Sequence, residues 1–329
     1  MEELRRRGHE VLVHGALSDA ERDDWAWASA LVAVIACPYP IRQRFDFRTL
    51  RGYASFSWPL FVAGLSGIVI AQGSILAGDK LIGLAAVGVI TLASAISLYA
   101  QRVDEIITAT LYPAICAVKD RKDLLFESFV KSNRLALMWG VPFGVGLTLF
   151  ADDLVEFGLG SKWEPAVGLL QVFGLLAAIN HIGFNWTAYF RARGETRPIA
   201  VAGVASMVAF LAAVIPLTAA YGLDGFAAGM AITAVVNLAV RFFFLVRLFP
   251  ALSIAGHAAR AIAPTVPAVL AVLAVRAVDG DRSLGVALGE LALYAGVTVA
   301  ATVVLERELL REVLGYLRRP RAGAVPVAR

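Results

Sequence analysis

Asn180, His181 and Asn185 lie within an otherwise apolar stretch, Gln171 to Arg197, which reads QVFGLLAAINHIGFNWTAYFRARGETR. A buried amide or imidazole in a hydrocarbon span costs free energy unless it faces protein or a water-filled cavity. The cluster therefore marks either hydrogen bonds that hold a helix bundle together or the lining of a substrate path. His181 and Asn185 are four residues apart and share a face if the helix is continuous. A second group, Arg102, Asp104 and Glu105, follows an apolar run with no turn signal, so these charges fall inside a long helix. A carboxylate there can titrate or bind a cation as a coupling group. Arg102 can meet a phosphate with its forked donors, or simply neutralise its neighbours. Asn133 and Arg134 open the next helix and can face the same cavity.

Enzyme constellations are missing from the sequence: it has no phosphate-cradling glycine motif, no HExxH and no CxxC. Cys37 and Cys116 have no ligand spacing and point to neither a disulfide nor a metal site. No cofactor, metal or nucleic-acid partner is expected, and the chain does not read as an enzyme. The opening MEELRRRGHEV lacks an apolar core after its basic residues and does not read as a signal peptide. Asp152, Asp153 and Glu156 are expected to form a solvated mouth at a helix end.

The elements that must position these residues are membrane spans. The chain has 329 residues, of which 59% are hydrophobic, with a mean hydropathy of +0.71. Several runs approach the roughly 20 apolar residues a span requires. The fold class expected is an all-α polytopic transmembrane bundle of about 8–9 helices. Spans are placed at 54–78, 81–100 (continuing as helix towards Tyr112), 135–158, 166–190, 198–220, 225–248, 261–278 and 284–305. The run 25–41 is short for a span. Basic residues alternate between connections, dense at 42–51, 119–134, 191–197, 241–260 and 307–329 and sparse between. That alternation places both ends of an eight-helix set, and the C-terminus, in the cytoplasm. Asp123–Arg134 and Glu306–Arg319 read as amphipathic helices on the inner surface. Pro59, Pro142, Pro216, Pro264 and Pro267 fall in or beside spans, where they can kink helices and free carbonyls.

The ordered segments FDFRTLRGYASFSWPL, DKLIGLAAVGVITLASAISLYA and TLYPAICAVKDRKDLL resemble polysaccharide flippases, as does FVKSNRLALMWGVPFGVGLTLFADDLVEFGLGSKWEPAVGLLQVFGL. These are the O-antigen-type exporters of the multidrug/oligosaccharidyl-lipid/polysaccharide superfamily. The resemblance runs over about 47–250. Its markers include Tyr112-Pro113, Pro142-Phe143, Gly160-Ser161-Lys162-Trp163 and Phe184-Asn185-Trp186 ahead of Arg191-Ala192-Arg193-Gly194. It implies a MATE-like C-terminal lobe plus two extra helices. Residues 1–46 would be a tail and the last helix of an otherwise missing first lobe, 47–250 the second six-helix lobe, 251–305 the two extra helices and 306–329 a basic cytoplasmic tail.

The resemblance further implies flipping of undecaprenyl-pyrophosphate-linked oligosaccharide across the cytoplasmic membrane. Arg102, Arg134, Arg191 and Arg193 would then meet phosphate, and Asn180, His181, Asn185 and Trp186 the sugar. Ser74 stands where relatives often carry an acidic residue. Expected partners are the lipid-linked oligosaccharide, membrane lipids, and a missing first lobe or polysaccharide-assembly proteins. Two other readings remain: a cation-coupled small-molecule exporter on the same fold, and a truncated, non-transporting membrane subunit.

Overall fold

A computed structural model describes residues 47–250, 262–278 and 282–307, with single positions at 256, 259, 260, 309–311 and 315. The readings for 1–46, including the 25–41 run, lie outside the described residues, as does most of 308–329. The chain divides into two units, 1–51 and 52–329. The first is described only where α1 begins, and the account below concerns the second.

All regular structure among the described residues is helical. The elements are α1 (Phe47–Ala77), α2 (Leu84–Ala117), α3 (Lys122–Leu149), α4 (Val167–Asn180), α5 (Trp186–Ala192), α6 (Arg197–Ala209), α7 (Ile215–Leu248), α8 (Thr265–Val278) and α9 (Leu284–Leu305). Helices of membrane-crossing length and apolarity run over Leu50–Ile82, Leu84–Ala117, Ser161–Asn180, Arg197–Leu248 and Leu284–Leu305. A sixth is bent by 65° between Lys122–Leu149 and Ala151–Leu159. The chain is a multi-pass membrane protein.

The 52-residue run Arg197–Leu248 is too long for one span, and Gly222 divides it. With φ 61° and ψ −133°, this residue leaves the helix in a left-handed region that a side chain would strain. Two spans result, as the sequence predicts for 198–220 and 225–248. The helix predicted to continue past Ala100 does so, to Ala117. Asp123–Arg134 departs from expectation. It forms the first turns of α3, and its apolar face is packed, with Leu125 and Phe129 fully buried, rather than lying on a membrane surface.

Two apolar clusters lie toward opposite ends of α2 and α7. One joins Val89, Ile90 and Ala93 of α2 to Leu169, Leu170 and Phe173 of α4 and to Phe226 of α7. The other joins Ile115 of α2 to Leu125 and Phe129 of α3, Tyr189 and Phe190 of α5, and Leu245 of α7. Each of α2, the α4–α5 pair and α7 therefore enters one cluster, crosses a middle stretch and enters the other. Close backbone approach fixes α3 on α4. A Cβ on Gly144 would sit 2.3 Å from the Gly174 carbonyl, and one on Gly174 would sit 2.6 Å from the Gly144 carbonyl. In lipid, where the solvent is as apolar as the side chains, such contact is a main source of helix association.

Candidate functional site

The middle stretches line a cavity of about 970 Å³ between the two clusters. On α2 its wall is a polar stripe: Ser94, Ser97, Gln101, Asp104, Thr108 and Tyr112. Steps of three and four keep these on one helix face. On α7, Thr233, Asn237 and Arg241 repeat at intervals of four. Neither stripe was singled out in the sequence. The detectable signal is inverse periodicity, polar residues at helical spacing inside an apolar run.

Between these walls the predicted continuous span 166–190 is broken. Helix α4 stops at Asn180, residues 181–185 are turn, and α5 begins at Trp186. Gly183, at φ 71°, permits the break, and a Cβ there would stand 2.8 Å from Leu245. Breaking a helix inside a bilayer orphans carbonyls, and these must be satisfied internally. Arg241 does most of this. Its Nη1 donates to the Asn180 carbonyl at 2.7 Å and the Ile182 carbonyl at 2.9 Å, and its Nη2 donates to Asn237 Oδ1 at 2.9 Å. Asn133 Nδ2 donates to the His181 carbonyl at 2.9 Å. The guanidinium thus sits at the negative end of the α4 dipole, a favourable place for a cation. Among the described residues it has no carboxylate within ion-pair distance, and its Nε has no partner.

The break also separates His181 from Asn185, which do not share a helix face. The His181 ring packs against the bare backbone of Gly140 on α3, where a Cβ would lie 2.1 Å from its Cγ. Its Nδ1 lies 2.6 Å from the Ala177 carbonyl. Its Nε2 lies 3.2 Å from the Ala100 carbonyl and 3.1 Å from Asp104 Oδ2. Asn185 turns the other way and donates to Ser132 Oγ at 2.9 Å, beside Tyr189. Asp104 Oδ1 and Asn185 Oδ1 are buried without hydrogen-bond partners among the described residues.

The remaining sequence candidates divide. Glu105, Asn180 and Arg191 line the cavity with Asp104, His181 and Asn185. Arg102 is exposed and pairs with Glu105 at 3.2 Å. Arg193 pairs with Glu195 at 2.9 Å outside the cavity lining. Trp186 is buried edge-to-face on Phe190 in the second apolar cluster. Arg134 is committed to an ion pair with Glu306 and does not line the cavity. Arg241, read from sequence as a basic residue of a connection, is instead a buried wall of the cavity.

Asp153 is not part of a solvated mouth either. Arg276 bridges Asp153 and Glu290, each at 2.9 Å. Arg282 reaches the same two carboxylates, at 2.6 Å to Asp153 Oδ1 and 3.1 Å to Glu290. Burial pulls the Arg282 pKa down, but the hydrogen bond to Glu290 and the charges of Asp153 and Glu290 outweigh this and raise it overall. These four residues tie α8, the α8–α9 connection and α9 to the bend after α3. Arg276 Nη1 adds a bond to the Leu149 carbonyl at 3.0 Å.

Residues 26–168 match a family described as "Polysaccharide biosynthesis protein". An uncharacterized membrane protein in the cps region of Klebsiella pneumoniae is 24% identical over 147 residues, 45% of this chain and 30% of that protein. Teichuronic acid biosynthesis protein TuaB of Bacillus subtilis (strain 168) is 22% identical over 136 residues, covering 41% and 28%. Lipopolysaccharide biosynthesis protein WzxC of Escherichia coli (strain K12) is 20% identical over 147 residues, covering 45% and 30%. The chain thus spans less than a third of the length of each of these relatives. No solved structure matches.

Proposed function

We propose that the chain is the substrate-handling half of a membrane transporter that carries a lipid-linked oligosaccharide across the cytoplasmic membrane for polysaccharide assembly. The observation that carries this reading is the cavity. Its walls are polar stripes on membrane-length helices, and it holds a buried guanidinium with no carboxylate within ion-pair distance among the described residues. A sugar pyrophosphate is anionic, hydrated and rich in hydroxyls. Crossing hydrocarbon, it needs cationic donors for phosphate and amide or hydroxyl groups for sugar. Arg191 and Arg241 supply the first, and Asn180, Asn237, Thr233 and Gln101 the second. Similarity to proteins of teichuronic acid and lipopolysaccharide biosynthesis supports the same substrate class. The chain is oriented with the Arg191–Arg193 end and the C-terminus in the cytoplasm, following the basic residues.

In a polysaccharide-producing host that depends on this gene, Asn237→Leu or Arg191→Gln should reduce surface polysaccharide at normal protein level, and lipid-linked precursor should accumulate. Unchanged surface polysaccharide in both variants would remove the cavity from transport. A cation-coupled drug exporter on the same scaffold would instead show drug resistance that depends on the gene, with normal precursor levels.

A further inference from the structure

Both ring nitrogens of His181 face acceptors, which bears on the number of protons at the site. Nδ1 addresses the Ala177 carbonyl, which can only accept, so Nδ1 carries a proton. Nε2 addresses the Ala100 carbonyl and Asp104 Oδ2. An unprotonated Nε2 would place its lone pair against that carbonyl oxygen and a carboxylate. A second proton between ring and carboxyl, on either partner, satisfies this contact. The pair then holds one proton more than a neutral imidazole and a carboxylate together. Two buried atoms, Asp104 Oδ1 and Arg241 Nε, have no hydrogen-bond partner among the described residues, and both side chains line the same cavity.

We infer that His181 and Asp104 form a proton-binding switch in which Asp104 exchanges partners, from His181 when the proton is bound to Arg241 when it is released. It deepens the transporter reading by naming a proton as the coupling ion of that cavity. On release, one proton passes from the pair to cavity water. The ring stays neutral with its hydrogen on Nδ1, the carboxylate is left charged, and the net charge of the pair falls by one. No electrons move. The carboxylate is then repelled by the bare Nε2 and attracted by the guanidinium. Because Arg241 also holds the Asn180 and Ile182 carbonyls, the new ion pair competes with the bonds that fix the α4–α5 break. The proton is thereby linked to the arrangement of α2, α7 and the broken span.

The groups facing the switch come from several elements. Helix α2 brings Glu105, Arg102 and Tyr112, with Arg102 paired to Glu105. Helix α7 brings Arg241, and α5 brings Arg191 and Tyr189, whose hydroxyl lies 3.0 Å from Ser128 Oγ. Helix α3 presents Gly140 and Asn133, neither of which titrates, while its Arg134 turns to Glu306.

The test is nitrogen NMR of the full chain in lipid vesicles, with ¹⁵N histidine and arginine, over about pH 5 to about pH 9. His181→Gln and Arg241→Lys assign the signals. At low pH Nδ1 should report a bound proton and Nε2 a proton either bound or donated by the Asp104 carboxyl. As pH rises, the Nε2 proton should be lost in a single step, and Arg241 Nε should shift at the same midpoint. Asp104→Asn, which keeps shape but removes the negative charge, should lower that midpoint by at least about one pH unit, a tenfold weaker hold on the proton. Gly140→Ala, which displaces the ring, gives a second route to a changed midpoint if Asp104→Asn folds poorly. A His181 Nε2 signal that does not change with pH, a still Arg241 Nε, or a midpoint indifferent to both variants would overturn the switch. Intact precursor transport with a silent His181 would sink the switch alone. A shared titration without transport would sink the transporter reading and leave the switch.

Discussion

Arg241 shows how a single residue makes the site possible. It is 8% exposed, and its donors go to two carbonyls of a helix break and one side-chain amide. Hydrogen bonds from a charged group contribute about 1.5–3 kcal/mol each, and the orphaned carbonyls would add their own desolvation cost. Arg241→Met should therefore lower stability by about 2–4 kcal/mol, read as a fall in thermal midpoint in detergent. Arg241→Lys should recover little of this, because a point ammonium cannot span the Asn180 and Ile182 carbonyls while reaching Asn237. The sequence shows why this residue is easily misread. Basic residues near helix ends usually report topology, and Arg241 stands six residues before Arg247 at such an end. Its role depends on Asn180 and Ile182, about sixty residues away, which no local pattern reveals. The Asn180–Asn185 cluster, in contrast, was legible, because polar groups within an apolar run are conspicuous wherever they fold. Its geometry was not, since one Gly183 in an apolar stretch does not distinguish a tolerated glycine from a break.

At the scale of elements, hydropathy and length marked most spans, and the structure moved mainly their joints. The span expected at 261–278, however, is a 14-residue helix, Thr265–Val278, short of membrane-crossing length. The bend between Leu149 and Ala151 was invisible because the partners that anchor it lie on α8, on α9 and between them. Two nearly buried carboxylates, Asp153 and Glu290, share two arginines, so removing either acid strands positive charge in a poorly solvated place. Glu290→Ala should cost about 3–5 kcal/mol, the usual penalty for breaking such a pair, and loosen α8–α9 first. Protease accessibility of the α8–α9 connection, alongside thermal melting, would check this. The Arg282 pKa is raised above its ordinary value, so its contribution is complete below that ordinary value and is lost only as pH climbs beyond it, through the folded value. The clamp should consequently show no loss from arginine deprotonation up to about pH 10. A melt that weakened between neutral pH and there in wild type, but not in Arg282→Gln, would contradict this. Packing of α3 on α4 is the other joint with a clear cost. Gly174→Ala forces a Cβ against the Gly144 carbonyl and Thr148, and should lower the folded yield in membranes more than Gly289→Ala, where a Cβ meets nothing within 4 Å.

For the whole molecule, a cavity walled by polar stripes between two apolar clusters gives the chain its meaning. Its matched stretch spans less than a third of each relative, two of them named for teichuronic acid and lipopolysaccharide biosynthesis, and the activity of the complete assembly is an inference from that kinship and this cavity. The central claim is that the cavity admits a lipid-linked oligosaccharide. The most direct measurement places the full chain in vesicles that carry undecaprenyl-pyrophosphate-linked oligosaccharide and reads binding as substrate density rises. Saturable capture of the substrate by the chain, and loss of capture in Asn237→Leu and Arg191→Gln, are the results the account predicts. Vesicles in which wild type and both variants bind the substrate equally, or not at all, would contradict it.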